Sequence, residues 1–259
     1  MADHGTPCWY ELNTSAGKLA ELGGFYARIF GWAISDSGME GFTYHLARSD
    51  GDMVAGLMEL PADAGCVMPC WMIYFAVTDA AQTVADARAA GATVKRDLAE
   101  IPGTGSFAIL ADPQGAVFGI LQPEPMDSPD QGNAFDQKKT GHGNWNELMS
   151  ADPQAGFDFY AGLMGWSRGD AMDMGEMGTY QLLRHGDADI GAIQPLGDAP
   201  VSAWLPYFGV DGSVADKMAD VTAAGGQIQL GPQEVPGPAY IAICTDPQGA
   251  WFAMVSPEK

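Results

Sequence analysis

Glu11 and Glu147 each stand two positions after a tryptophan, in the segments Trp9-Tyr10-Glu11-Leu12 and Trp145-Asn146-Glu147-Leu148. Side chains alternate along a strand, so Trp9 shares a face with Glu11, and Trp145 shares one with Glu147. An indole beside a carboxylate suits a small organic ligand: the ring stacks on it and the acid holds a donor or a cation. A carboxylate kept among apolar groups resists ionisation and can shuttle a proton, which makes Glu11 and Glu147 candidate general bases. The competing reading is structural, with each acid buried and bonded to backbone or to an indole. Tyr44 and Tyr180 occupy matching places in the strands TYHLAR and TYQLLR, with His45 and Gln181 beside them. These are candidate ligand contacts, or core aromatics and a surface or cavity histidine. Cys66 and Cys70 lie in CVMPCWM with Met68 and Met72. Such soft donors suit Cu(I), or the segment is a loop entering an apolar strand; the spacing matches no zinc motif. Of the other histidines, His4 is expected to be disordered, His142 sits at a linker exit, and His185 falls in a solvated turn. There is no phosphate cradle and no nucleophile elbow.

The chain that must position these groups has 259 residues, 47% hydrophobic and 17% charged, enough for a sizeable core in one or two domains. Its net charge of -21 repels phosphate backbones, excludes a nucleic-acid partner and suits a cationic ligand. No apolar run is long enough to cross a membrane, and no signal peptide is evident at the N-terminus. A cytoplasmic protein with reduced thiols is the expectation.

The sequence repeats itself. FYARIFGW from Phe25 returns as FYAGLMGW from Phe159, WMIYFAV from Trp71 as WLPYFGV from Trp204, and ADPQGAVFGI as TDPQGAWFAM. Asp112 recurs as Asp246, 134 positions later. Two modules follow, 1–122 and 142–259, joined by a polar linker at 123–141 that should be exposed. Within the first, 8–13 reads as a strand and 18–30 as a helix stopped by Gly31. A hairpin spans 41–60 about Ser49-Asp50-Gly51, then comes a strand at 71–77. Asp79 caps a helix ending near Gly91, and a last hairpin turns on Asp112-Pro113-Gln114-Gly115. The pattern is βαβββ, echoed within each module, so four such units are expected in an α+β chain.

The order of FY-x-x-x-F/M-GW, AAG and DP-x-G before an apolar strand resembles the vicinal oxygen chelate superfamily, which includes glyoxalase I, bleomycin-resistance proteins and extradiol dioxygenases. The resemblance covers nearly the whole chain outside the linker. It implies paired βαβββ units whose curved, mixed sheets enclose a cavity, with helices outside. It also implies a divalent metal in that cavity. The first-strand ligand positions fall on Trp9 and Trp145, the last-strand glutamate positions on Gly119 and Ala253, and the dioxygenase histidine positions near Met72 and Leu205. None is a ligand for a hard divalent ion. No metal or other cofactor is therefore expected, although the family would supply a divalent ion. Small residues at Gly119 and Ala253 would instead widen a pocket around Trp9, Trp145 and the two glutamates. The implied function is a metal-independent lyase or isomerase of glyoxalase type, with a dioxygenase less favoured. The alternative is a non-catalytic binding or sequestration protein of bleomycin-resistance type. Either takes a small molecule as partner, and the chain would be a monomer or a homodimer.

Overall fold

The computed structural model describes residues 3–39, 43–60, 68–124, 133–197 and 199–259. The first βαβββ unit comprises β1 (Pro7–Thr14), α1 (Leu19–Phe30), β2 (Ala33–Asp36), β3 (Tyr44–Ser49) and β4 (Asp52–Glu59). The second has β5 (Cys70–Ala76), α2 (Ala80–Ala89), β6 (Thr93–Ile101), β7 (Gly105–Ala111) and β8 (Val117–Pro123). The pattern returns as β9 (Gly143–Ser150), α3 (Pro153–Met164), β10 (Ser167–Asp173), β11 (Thr179–His185) and β12 (Ala188–Pro195). It ends with β13 (Ala203–Gly209), α4 (Val214–Ala223), β14 (Gln227–Val235), β15 (Ala239–Thr245) and β16 (Trp251–Ser256). The strands form two mixed 8-stranded sheets, ordered β2-β3-β4-β1-β5-β8-β7-β6 and β10-β11-β12-β9-β13-β16-β15-β14. The α+β class and the tandem arrangement are as expected. Among the described residues, no helix is long and apolar enough to cross a membrane.

Local chemistry explains the boundaries. Gly31 ends α1 at φ 71°, where its N–H returns to the Ala27 carbonyl. The Asp79 side chain accepts from the Gln82 N–H at 2.9 Å and opens α2. The sequence reading did not delimit β2 and β6, which are the sheet's two edge strands. Both are largely exposed, so no apolar alternation marks them.

By contact the chain divides into two compact units. One comprises Met1–Cys8, Ile73–Pro129 and Asn146–Leu205; the other comprises Trp9–Met72, Asp130–Trp145 and Pro206–Lys259. At the centre of the first, the Trp204 indole donates to the Tyr160 oxygen at 2.9 Å, and the Tyr160 hydroxyl donates to Asp112 at 3.2 Å. Phe75, Phe118 and Trp166 surround Tyr160. In the second, Trp71 donates to Tyr26 at 2.9 Å and Tyr26 donates to Asp246 at 3.0 Å, among Phe30, Trp32 and Phe252. The repeated Trp, FY and DPQG blocks are therefore one buried Trp–Tyr–Asp chain, made once in each unit. In each chain the aspartate comes from the opposite sequence repeat to the tyrosine.

Desolvation raises the carboxyls of Asp112 and Asp246, against the backbone N–H groups and tyrosine hydroxyls that hold them. A folded-state value above the unfolded one means that the native protein binds more protons in the window between them. The contribution to stability is fully present below that window and is lost as pH rises through it. The urea midpoint should therefore gain a component on acidification from neutrality towards the upper edge of the carboxylate range. An Asp112→Asn/Asp246→Asn chain should show a flatter profile; parallel profiles would contradict the assignment.

Two expectations require correction. The linker is not exposed throughout: Ala134 and Gly141 are buried, while residues 137–140 are exposed. Within its unit, the Trp32 indole donates to the Gly141 carbonyl at 2.7 Å, Ser49 donates to the Thr140 carbonyl at 3.1 Å, and Lys139 pairs with Asp52 at 2.7 Å. His142 is wholly buried between Thr140 and Asp52. Nor is His4 loose: its ring meets the Leu163 carbonyl at 3.0 Å, and its own carbonyl lies 2.7 Å from Nε2 of His185. Backbone carbonyls capture both rings, which a reading of local polarity does not reveal.

Candidate functional site

Strand β1 pairs in parallel with β4, placing Glu11 opposite Gly56, and β3 pairs antiparallel with β4, placing Tyr44 opposite Met58. Tyr44 thereby reaches over Gly56 towards Glu11. A Cβ on Gly56 would lie 1.8 Å from the Tyr44 hydroxyl oxygen, so only glycine admits the ring here. The Tyr44 hydroxyl donates to Glu11 Oε2 at 3.0 Å, and the Trp9 indole donates to the Tyr44 oxygen at 2.9 Å. Glu11 is 8% exposed, while Trp9 and Tyr44 are half-buried. Desolvation, followed by the charge of Glu11, raises the Tyr44 hydroxyl well above its ordinary value. It is a proton-bearing donor at neutral pH, poised beside a carboxylate acceptor.

The second copy repeats the pair. Tyr180 donates to Glu147 Oε2 at 2.9 Å, with the same spacing of 33 residues between tyrosine and glutamate. Gln194 adds a donor to Glu147 Oε1 at 2.7 Å. Glu147 is 4% exposed, and Trp145 stands two positions before it on β9. The sequence reading missed Gly56 and Gln194. Both were accessible in the repeat, where AGLMEL aligns with GAIQPL and Met58 falls opposite Gln194.

Gly119 pairs with Tyr74 between β5 and β8, and a Cβ there would lie 2.1 Å from the Tyr74 ring. The room expected at Gly119 is taken by that ring. Ala253 is likewise fully buried and pairs with Tyr207. His45 follows Tyr44 on β3 and so takes the opposite face from Glu11. Desolvation and the charge of Glu11 raise the Cys70 thiol to about 11, leaving it protonated at neutral pH. Met72 is buried and Met68 exposed, while Cys66 lies outside the described residues. Among the described residues, no group of three or more His, Cys, Asp or Glu is placed to hold a metal ion.

A separate cleft of about 350 Å³ lies beside the start of α3, where Arg168 stacks over Phe157 at 3.8 Å and bonds Gln154 and Gln181. Thr179, Gln181, Ile193 and Pro195 line it and alternate with Tyr180 and Gln194, so it occupies the face opposite Glu147.

A glyoxalase-like domain model matches residues 11–121. "Putative glyoxylase CFP32" of Mycobacterium tuberculosis is 31% identical over 258 residues, spanning 98% of this chain and 95% of that protein. "Anthracycline biosynthesis protein DnrV" of Streptomyces peucetius is 29% identical over 270 residues, 97% of this chain and 93% of its own. Among solved structures, 2,2',3-trihydroxybiphenyl 1,2-dioxygenase of Sphingomonas wittichii superposes with a TM-score of 0.69 at 16% identity, over 98% of this chain and 90% of that one. At that identity the likeness speaks to the fold alone.

Proposed function

The chain belongs to the glyoxalase-like family, within the vicinal oxygen chelate superfamily, and we propose that it moves a proton on a small carbonyl compound with a glutamate–tyrosine pair in place of a metal. The observation that carries this reading is the duplicated pair, Tyr44 on Glu11 and Tyr180 on Glu147. The metal of the superfamily does not fit these residues. An indole occupies each first-strand ligand position, and the Tyr74 ring excludes any side chain at the last-strand position of Gly119.

The pair has the parts of an acid–base device. The glutamate carboxylate takes the proton from the carbon beside the carbonyl, the C–H electrons form a C=C bond, and the carbonyl electrons move onto oxygen. The tyrosine hydroxyl turns from the glutamate to donate to that oxygen. On an α-hydroxy carbonyl compound the glutamic acid then returns the proton to the former carbonyl carbon, while the α-hydroxyl passes its own proton to the enolate oxygen and becomes the new carbonyl. The net change is an isomerisation without oxidant or reductant. Trp9, donating into the Tyr44 oxygen, fixes the ring and offers a face for a flat substrate. Aromatic substrates are in keeping with the relative named for anthracycline biosynthesis.

The test is full-length protein dialysed against EDTA and given methylglyoxal with glutathione. Turnover should persist, and added nickel, zinc or manganese should change it by less than about twofold. Turnover that appears only on adding metal would sink the reading. No turnover under either condition, with a thermal shift from aromatic or cationic compounds, would replace it with sequestration.

A further inference from the structure

The cleft beside α3 holds a cation that its surroundings fix without cancelling. Arg168, on β10, lays its guanidinium over the Phe157 ring at 3.8 Å. Its Nη1 donates to Gln181 Oε1 at 3.3 Å and its Nη2 to Gln154 Oε1 at 3.0 Å. Both partners are neutral amides oriented by other bonds. Gln181 is 9% exposed, and its Nε2 reaches the carbonyls of Gly169, Asp170 and Leu182 at 2.8, 3.3 and 3.2 Å, which turns its oxygen towards Arg168. Gln154 Nε2 donates to both oxygens of Asp158 at 2.9 Å, and that carboxylate stays 3.9 Å from the guanidinium. An exposed pair at that separation offsets little charge. The guanidinium also has more N–H donors than its two bonds use. The matching place in the first repeat has no such cation. At 134 positions earlier, Ile34 stands for Arg168, Gly23 for Phe157 and Ala20 for Gln154, and a Cβ on Gly23 would lie 3.7 Å from Ile34. An apolar contact there is a held charge here.

We infer that this cleft is a ligand site in its own right and takes a small organic carboxylate with a flat apolar body. Its volume of about 350 Å³ suits a small molecule. Pro153, Ile193 and Pro195 give it apolar walls, and Arg168 and Thr179 supply polar groups. The edge of a guanidinium meets the two oxygens of a carboxylate with parallel N–H···O bonds. Held beforehand by a ring and two amides, Arg168 loses little freedom on binding. The net charge of -21 opposes any anion at long range, so the affinity comes from these contacts. The cleft lies on the face of β11 and β12 opposite Glu147 and is independent of the proton-transfer reading.

The experiment titrates the full-length chain with benzoate, and with benzamide as its neutral counterpart. Nitrogen-edited NMR spectra give the affinity and locate the ligand through the Arg168 Nε–H and the backbone amides of Thr179, Gln181 and Ile193. Those signals should move most with benzoate and saturate. Benzamide should bind about 10–100-fold more weakly, the loss expected when a charge-assisted pair is removed. Arg168→Met keeps an unbranched side chain over Phe157 and should weaken benzoate by a similar factor. Arg168→Lys, with the charge but without the fork, should fall between. Glu147→Gln should leave benzoate affinity unchanged. The benzamide comparison needs no variant, so it holds whatever Arg168→Met does to the fold. Equal affinity for acid and amide, full benzoate affinity in Arg168→Met, shifts centred away from the cleft, or no saturable binding would each overturn the site.

Discussion

Asp246→Ala is expected to lower the unfolding free energy by about 3–6 kcal/mol, the largest loss from any single truncation outside the apolar core. The carboxylate is 2% exposed. Its Oδ1 accepts from the N–H groups of Gln248 at 2.8 Å and Ala250 at 2.9 Å, and its Oδ2 accepts the Tyr26 hydroxyl at 3.0 Å. Alanine strands all three donors, and each buried orphan costs roughly 1–3 kcal/mol. It also releases the DPQG turn that those N–H groups close. Tyr26→Phe removes one donor from Asp246 and one acceptor from the Trp71 indole, so it should cost less, about 1–3 kcal/mol. Asp112→Ala should match Asp246→Ala, because its carboxylate accepts from Gln114, Ala116 and Tyr160 in the other unit. Urea titration followed by tryptophan fluorescence gives the order directly. An Asp246→Ala loss under about 1 kcal/mol would mean that water satisfies the turn and that the chain of donors is not what holds it.

This network also marks the limit of what the residue pattern discloses. The repeated blocks were legible because FY-x-x-x-F/M-GW and DPQG carry strong helix, stop and turn chemistry in a fixed order. That Tyr26 is bonded to an aspartate 220 residues away was not legible, since a turn motif shows its backbone role and hides its side-chain partner. The edge strands β2 and β6 escaped delimitation for the opposite reason: their exposed faces leave no periodic signal. At the site, alternation placed Trp9 with Glu11, and the repeat placed Tyr44 with Tyr180. The bond between tyrosine and glutamate depends on β4 lying between β3 and β1, which is a matter of topology. Gly119 was read as vacant space, but a glycine shows only that a side chain is missing, not that the Tyr74 ring has taken the room.

Glu11→Gln should reduce kcat by about 10²–10⁴-fold with a small change in KM, the span usual for loss of a positioned general base. The substitution keeps the volume, and its carbonyl oxygen still accepts the Tyr44 hydroxyl, so fold and network should survive. Only basicity is lost. Tyr44→Phe removes the other half of the device. The carboxylate remains, the developing oxyanion loses its donor, and the Trp9 indole loses its acceptor. A fall of about 10²–10³-fold is expected, comparable with removing one oxyanion donor elsewhere. If the two groups act on one transition state, the Glu11→Gln/Tyr44→Phe chain should lose far less than the product of the single losses. Multiplicative losses would mean that the residues serve separate steps. Urea midpoints of all three variants, read beside the kinetics, separate this from unfolding: a structural salt-free pair would shift the midpoints and leave the surviving folded fraction with full kcat.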